Sequence, residues 1–250
     1  MPLRTVAAAH KNPNPRNFPR LVGLLSASAE TIEGPRPCDW FDVFVDRQGE
    51  LVVLLVDAQS GTDSWGGFVT TAIQETRAAL LEAEALHTVV NALELQLAAQ
   101  PSLEVGLLIL RFSERDAKVE LLNAGMPPVA NAGPGARLEL YPARSGPVGR
   151  RVGEVHPYEL LPLTWGGSWL ALSDGMLDGS LESDAVATLC AKLDLSARGL
   201  ALSQSSSEEL YDALQSQLSS TRFLRDDATG VLIGADPGAR FKSGIESASG

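Results

Sequence analysis

Apolar positions along this chain follow two rhythms. In "DWFDVFVDRQGELVVLLVDAQSG", residues 40–45 and 50–56 form short strand-like runs separated by "DRQG", which reads as a hairpin with glycine at its turn. The second run, Leu51 to Val56, is apolar at every position, the pattern of a central strand covered on both faces. The rhythm then changes. Val69, Ile73, Thr76, Leu80, Ala83, Leu86, Val90, Leu93 and Leu97 recur at intervals of three and four. They predict one continuous amphipathic helix, closed by Pro101.

Strand patterns return in "LEVGLLILRF" (103–112) and "AKVELLNAG" (117–125) around the turn "SERD". They continue in "PPVANA" and "ARLELYPA" around "GPG", in "SWLALS" (168–173) and in "ATGVLIGA" (228–235). Shorter helices are expected near 183–193 and 206–220, the second opened by Ser206 and Glu209 at capping-box spacing. Many antiparallel strands with few helices predict α+β layering rather than a parallel βαβ fold. Residues 1–20, rich in Pro and Asn, read as an irregular arm, 21–235 as one domain without internal repeats, and 236–250 as a mobile tail.

Composition narrows the function. Apolar residues make up 44% of the 250, enough for a real core. No run approaches the roughly 20 apolar residues of a membrane span, and the N-terminus lacks the apolar stretch of a secretory signal. A soluble, cytoplasmic protein without membrane association is expected. The net charge of −11, with 20 scattered basic residues, argues against nucleic acid as partner. Cys38 and Cys190 make neither a disulfide framework nor zinc spacing and read as inert thiols.

The chemistry concentrates at strand ends. Asp57 ends the most apolar strand, Asp174 ends "SWLALS", and Asp226 and Asp227 precede the last strand. Asp at a strand-to-turn junction is ordinary turn chemistry, so each alone is explained without function. If such ends converge on one rim, their carboxylates repel one another and call for a counter-ion. Mg²⁺ or Mn²⁺, which take oxygen ligands, would suit them, and a pair of such ions can activate water at a phosphoryl group. Spacing alone leaves the two readings open. His10, His87 and His156 read as partly exposed structural histidines. Neither Ser60 nor Ser173 sits in a nucleophile-elbow pattern, and no lysine follows the glycines of "GPGAR" or "SGPVG" as in a phosphate loop.

The order of "CDWFDVF", "LVVLLVDAQSG", "LLNAGMPP", "LALSDGMLD" and "RDDATGVLI" resembles the successive blocks of the metal-dependent protein phosphatases of type 2C. The likeness is closest to the bacterial stage II sporulation and stress-response branch and spans about residues 25–235. It implies a four-layer αββα sandwich, two antiparallel sheets flanked by helices. It also implies a serine/threonine protein phosphatase using two Mn²⁺ or Mg²⁺ ions and a metal-activated water. The expected substrate is a phosphorylated regulatory protein, such as an anti-sigma-factor antagonist.

Carried over by position, Asp57 matches the metal-bridging aspartate, and the carbonyl of Ala58 a backbone ligand. Asp174 and Asp226 match further metal ligands, and Asp39 the acidic position beside the site. Asp39 and Asp57 are thereby the catalytic candidates, with supporting roles for Asp178 and Asp227. The chain departs from the family pattern in the loop "AQSGTDSWGG", which has no histidine, at Met126, which stands for a histidine, and at Pro37 and Cys38, which stand for glycines. Those departures motivate an alternative, a weakly active or inactive relative kept as a binding module.

Overall fold

A computed structural model describes residues 25–32, 39–59, 67–100, 103–133, 138–151, 153–177, 183–192 and 228–235. The described strands are β1 (Leu25–Ile32), β2 (Asp39–Val45), β3 (Leu51–Gln59), β4 (Glu104–Ser113), β5 (Lys118–Ala124), β6 (Val129–Ala132), β7 (Leu138–Tyr141), β8 (Tyr158–Pro162), β9 (Ser168–Leu172) and β10 (Ala228–Ala235). The helices are α1 (Gly67–Leu81), α2 (Leu86–Leu97) and α3 (Ser183–Lys192), with a 3₁₀ turn at Asp174–Leu177. The strands form two antiparallel sheets, ordered β1-β10-β9-β6-β7 and β2-β3-β4-β5-β8.

Side-chain alternation divides β3 between two cores. Leu51, Val53 and Leu55 pack between the sheets with Leu108, Leu110, Phe112, Trp169, Val231 and Ile233. Val52, Leu54, Val56 and Ala58 face the other way, against Ile73, Leu80, Val90, Leu93 and Leu97 of α1 and α2. The uniformly apolar run therefore is a strand covered on both faces. Phe112 meets Trp169 edge-on across the inter-sheet core, with ring centroids 5.8 Å apart. On the far side of the first sheet, α3 packs on β6 and β7, burying Val186 and Cys190. The layers run α3, first sheet, second sheet, α1/α2, the α+β sandwich expected.

The hairpin turn is closed by Asp46, whose Oδ1 accepts the amides of Gln48 and Glu50, both at 2.9 Å, while Gly49 takes φ +83°. The single long helix does not exist; it is two helices. Ala83 adopts φ 60°, its N–H bonds the Leu80 carbonyl at 3.0 Å, and the Glu84 N–H bonds the Ala79 carbonyl at 3.1 Å. These bonds make a Schellman motif with alanine in the left-handed position. The apolar period survives the break because α2 resumes on the same side of the second sheet, so periodicity alone hid it. Arg111 secures the corner by donating to the Glu84 carbonyl at 2.8 Å.

β1 and β8 carry no alternation that the sequence reading used. β8 is an edge strand ending in Pro162, a position where a missing amide costs no ladder bond. The proposed arm (1–20), tail (236–250) and helix (206–220) lie outside the described residues. Among the described residues no helix is long and apolar enough to cross a membrane.

Candidate metal centre

Asp57 continues the odd-numbered face of β3, so its carboxylate belongs to the inter-sheet side, where Leu51, Val53 and Leu55 point. It is buried, 4% exposed. In the β2–β3 register Asp39 is its Cα partner, and the parity of Phe41 and Val43 puts Asp39 on that same side. Two carboxylates are thus set opposite one another where two strands end. Ala58 turns its methyl to the helix side, leaving only its backbone to serve the other face.

On the next strand Gly106 is the Cα partner of Asp57. A Cβ built there would lie 2.7 Å from Met126 Sδ and 3.6 Å from Asp57 Cβ. The missing side chain is what lets the thioether rest over Gly106, the cross-strand neighbour of Asp57. Asn123 fixes the turn that brings Met126 in. Its Nδ2 donates to the Pro127 carbonyl at 2.9 Å, and its Oδ1 accepts the Met126 N–H at 3.1 Å. Gly125 has φ +77°, and a Cβ on it would strike Pro147 at 2.7 Å, so only glycine fits.

Asp174 opens the 3₁₀ turn directly after β9. The residue before it, Ser173, is fully buried and clamps the end of β9 to the start of β10. Its N–H donates to the Thr229 carbonyl, and its Oγ accepts the Thr229 N–H, both at 2.9 Å. The 3₁₀ turn packs on β10, and β10 touches β2, the strand carrying Asp39. Ile32, paired with Ala228, lies only seven positions before Asp39, so the chain ties these strand ends together.

Asp226, Asp178 and Asp227 lie outside the described residues, as do the loop 60–66 and Pro37 and Cys38. Among the described residues, no three His, Cys, Asp or Glu side chains form a group able to hold a metal ion. The donors present fit a hard cation in kind: carboxylates without imidazole or thiolate, two of them opposed at the mouth of an apolar core.

His87 is exposed on α2. His156 is not the partly exposed residue expected but buried, its Nδ1 2.7 Å from Ser145 Oγ and its Nε2 3.3 Å from Glu94 Oε2. Glu94 was the readable signal: it stands among Val90, Leu93 and Leu97 on the buried side of α2, where a lone carboxylate needs a partner. Cys190 is buried, and burial pushes its thiol up to about 11, in keeping with an inert cysteine.

The family model of stage II sporulation protein E (SpoIIE) matches residues 49–236. This chain belongs to the SpoIIE family. No curated protein matches it in sequence. Solved structures similar to it include the RsbU and RsbW domains of Rv1364c from Mycobacterium tuberculosis, with TM-score 0.72 and 18% identity, over 87% of this chain and 61% of that one. The PP2C phosphatase domain of SpoIIE from Bacillus subtilis, solved with a fragment of its regulatory domain, matches with TM-score 0.65 and 15% identity, over 84% of this chain and 63% of that one. RsbX in complex with magnesium matches with TM-score 0.63 and 14% identity, over 86% of this chain and 96% of that one. At these identities the likeness shows the fold, which is that of the PP2C-type phosphatases. This SpoIIE-family chain spans less than two thirds of the Rv1364c and SpoIIE structures it resembles.

Proposed function

We propose that this SpoIIE-family chain is a metal-dependent serine/threonine protein phosphatase acting in the cytoplasm on a phosphorylated regulatory protein. An anti-sigma-factor antagonist is the substrate class this branch suggests. The observation that carries the reading is the register of Asp39 against Asp57 on the inter-sheet side, since opposed carboxylates there are stabilised by a shared cation. Asp57, the carbonyl of Ala58, Asp174 and Asp226 are the residues that would hold two Mn²⁺ or Mg²⁺ ions. Such ions supply Lewis acidity and charge neutralisation for attack of water on a phosphate monoester. Magnesium in the RsbX structure supports the choice of metal.

The chain's own contribution is placement. Strand β3 is packed on both faces, which fixes Asp57, and the Ser173–Thr229 clamp fixes the backbone before Asp174. A net charge of −11 keeps nucleic acid from competing as a partner.

One observation favours a second reading. The Met126 thioether rests over Gly106, the cross-strand neighbour of Asp57, and an apolar group so near a place where charge and water are wanted suits a binding module with weak or no turnover. Mn²⁺-dependent release of phosphate from an aryl phosphate or a phosphoserine peptide separates the two. Turnover that disappears in Asp57→Asn supports the phosphatase. A folded wild-type chain that releases no phosphate at any Mn²⁺ concentration refutes it.

A further inference from the structure

The polar chain from buried Glu94 and His156 to half-buried Ser145 lies outside the candidate metal centre, yet its hydrogen bonds lead to it. Glu94 Oε2 accepts the Gly149 N–H at 2.9 Å and faces His156 Nε2 at 3.3 Å. His156 Nδ1 pairs with Ser145 Oγ at 2.7 Å. The carbonyl of the same Ser145 accepts the Gly125 N–H at 3.0 Å, and the neighbouring Arg144 N–H donates to the Asn123 carbonyl at 3.1 Å. Asn123, Gly125 and Met126 make the turn that lays the thioether over Gly106, the cross-strand neighbour of Asp57. An unbroken path of hydrogen bonds thus runs from α2 to that turn.

The Ser–His–Glu order invites comparison with a nucleophilic triad, but the donors that would stabilise an oxyanion are committed. The Gly146 N–H bonds Glu154 Oε1 at 3.1 Å, and the Gly149 N–H bonds Glu94. The loop is also packed tightly: a Cβ on Gly149 would lie 2.6 Å from the Leu103 carbonyl oxygen. This geometry holds a loop in place.

We propose that Glu94 and His156 are positioning residues that set the Gly125–Met126 turn against Asp57, acting through Ser145. The kinetic part of this proposal rests on the phosphatase reading; the positional part does not. Nε2–H donating to Glu94 Oε2 with Nδ1 accepting from Ser145 Oγ is the tautomer that makes both contacts hydrogen bonds, and Glu94 Oε1 is left buried without a partner. A side chain of similar bulk without ring nitrogens would fill the space and break the path.

The test uses the full chain with ¹³C-methyl-labelled methionine and follows the Met126 signal by NMR, alongside Mn²⁺-dependent hydrolysis of an aryl phosphate. In His156→Phe and Ser145→Ala the Met126 methyl shifts or broadens, and kcat falls about tenfold with KM unchanged, the size expected for one lost buried hydrogen bond. His156→Gln, which keeps a donor for Glu94, moves both readouts back toward wild type. Arg77→Met, a destabilising change on α1, leaves the Met126 methyl in place and so controls for general loosening. If His156→Phe does not fold, Ser145→Ala and His156→Gln decide. A Met126 methyl unmoved in folded Ser145→Ala overturns the proposal, as does an equal shift in Arg77→Met. A wild-type chain without hydrolysis counts against the phosphatase reading alone, because the methyl signal still reads the path.

Discussion

Asp39 and Asp57 are Cα partners across β2 and β3 and point to the same side of the sheet. Like charges directly opposite in an antiparallel pair destabilise it by up to about 1 kcal/mol, and a cation between them reverses the sign. Asp39→Asn is therefore expected to weaken Mn²⁺ binding and to reduce the stability gained on adding Mn²⁺. Urea unfolding in chelator and in saturating Mn²⁺ measures that gain. An undiminished gain in folded Asp39→Asn would mean the pair does not share an ion.

The second prediction concerns pH. Asp42, on the helix side of β2, is bonded by Arg77 of α1, whose guanidinium also stacks over Phe44, 5.1 Å from the ring centre. Burial raises the Asp42 carboxyl above its ordinary 3.8, while the bond and charge of Arg77, and the Val43 amide, pull it down. A carboxyl with a raised folded-state value binds its proton more tightly when folded. The cost of charging it is thus full above that value and fades as pH falls toward 3.8. Arg77→Met removes the main opposing influence and leaves a buried, unpaired charge. The expected loss is about 3 kcal/mol at neutral pH. It shrinks as the solution is acidified toward the carboxylate range. Urea midpoints across that range measure it, and a loss independent of pH would assign the effect to packing.

Much of this fold was legible because the central strands β3 and β4 of the second sheet are buried on both faces, a pattern that Leu51 to Val56 displays without ambiguity. What was not legible depends on backbone geometry that side-chain pattern does not encode. The break at Ala83 falls inside an unbroken apolar period, and β8 owes its place to pairing with β5. At the site, the strand-end pattern singled out Asp57, the resemblance added Asp39, and the register sets these two opposite one another. The pairing of Glu94 with His156 joins segments far apart in sequence: the apolar spacing of α2 marks Glu94 as needing a partner but does not name it.

The Ala83 break makes its own prediction. Holding alanine in the left-handed region costs about 1 kcal/mol relative to glycine, and the Schellman bonds there use backbone atoms alone. Ala83→Gly should therefore stabilise the protein, by up to about 1 kcal/mol once the added freedom of the unfolded chain is subtracted. Thermal unfolding detects it as a higher midpoint. A lowered midpoint would show that the corner between α1 and α2 does not hold φ 60° in solution.

The last prediction tests whether Met126 and Asp57 share one floor. An alanine methyl at Gly106 would sit 2.7 Å from Met126 Sδ and 3.3 Å from the Asp57 carbonyl oxygen. The carbonyl belongs to a strand packed on both faces and cannot retreat far, so the thioether has to move. Gly106→Ala should cost about 1–3 kcal/mol as overpacking. Met126→Ala opens the space the new methyl needs, so the double variant should be more stable than the sum of the single changes predicts, by about 1 kcal/mol. Urea unfolding of the four chains gives that coupling directly. Strict additivity would mean that the thioether does not rest over Gly106, and the hydrogen-bonded path from Glu94 would then end on a turn that does not reach the acidic pair.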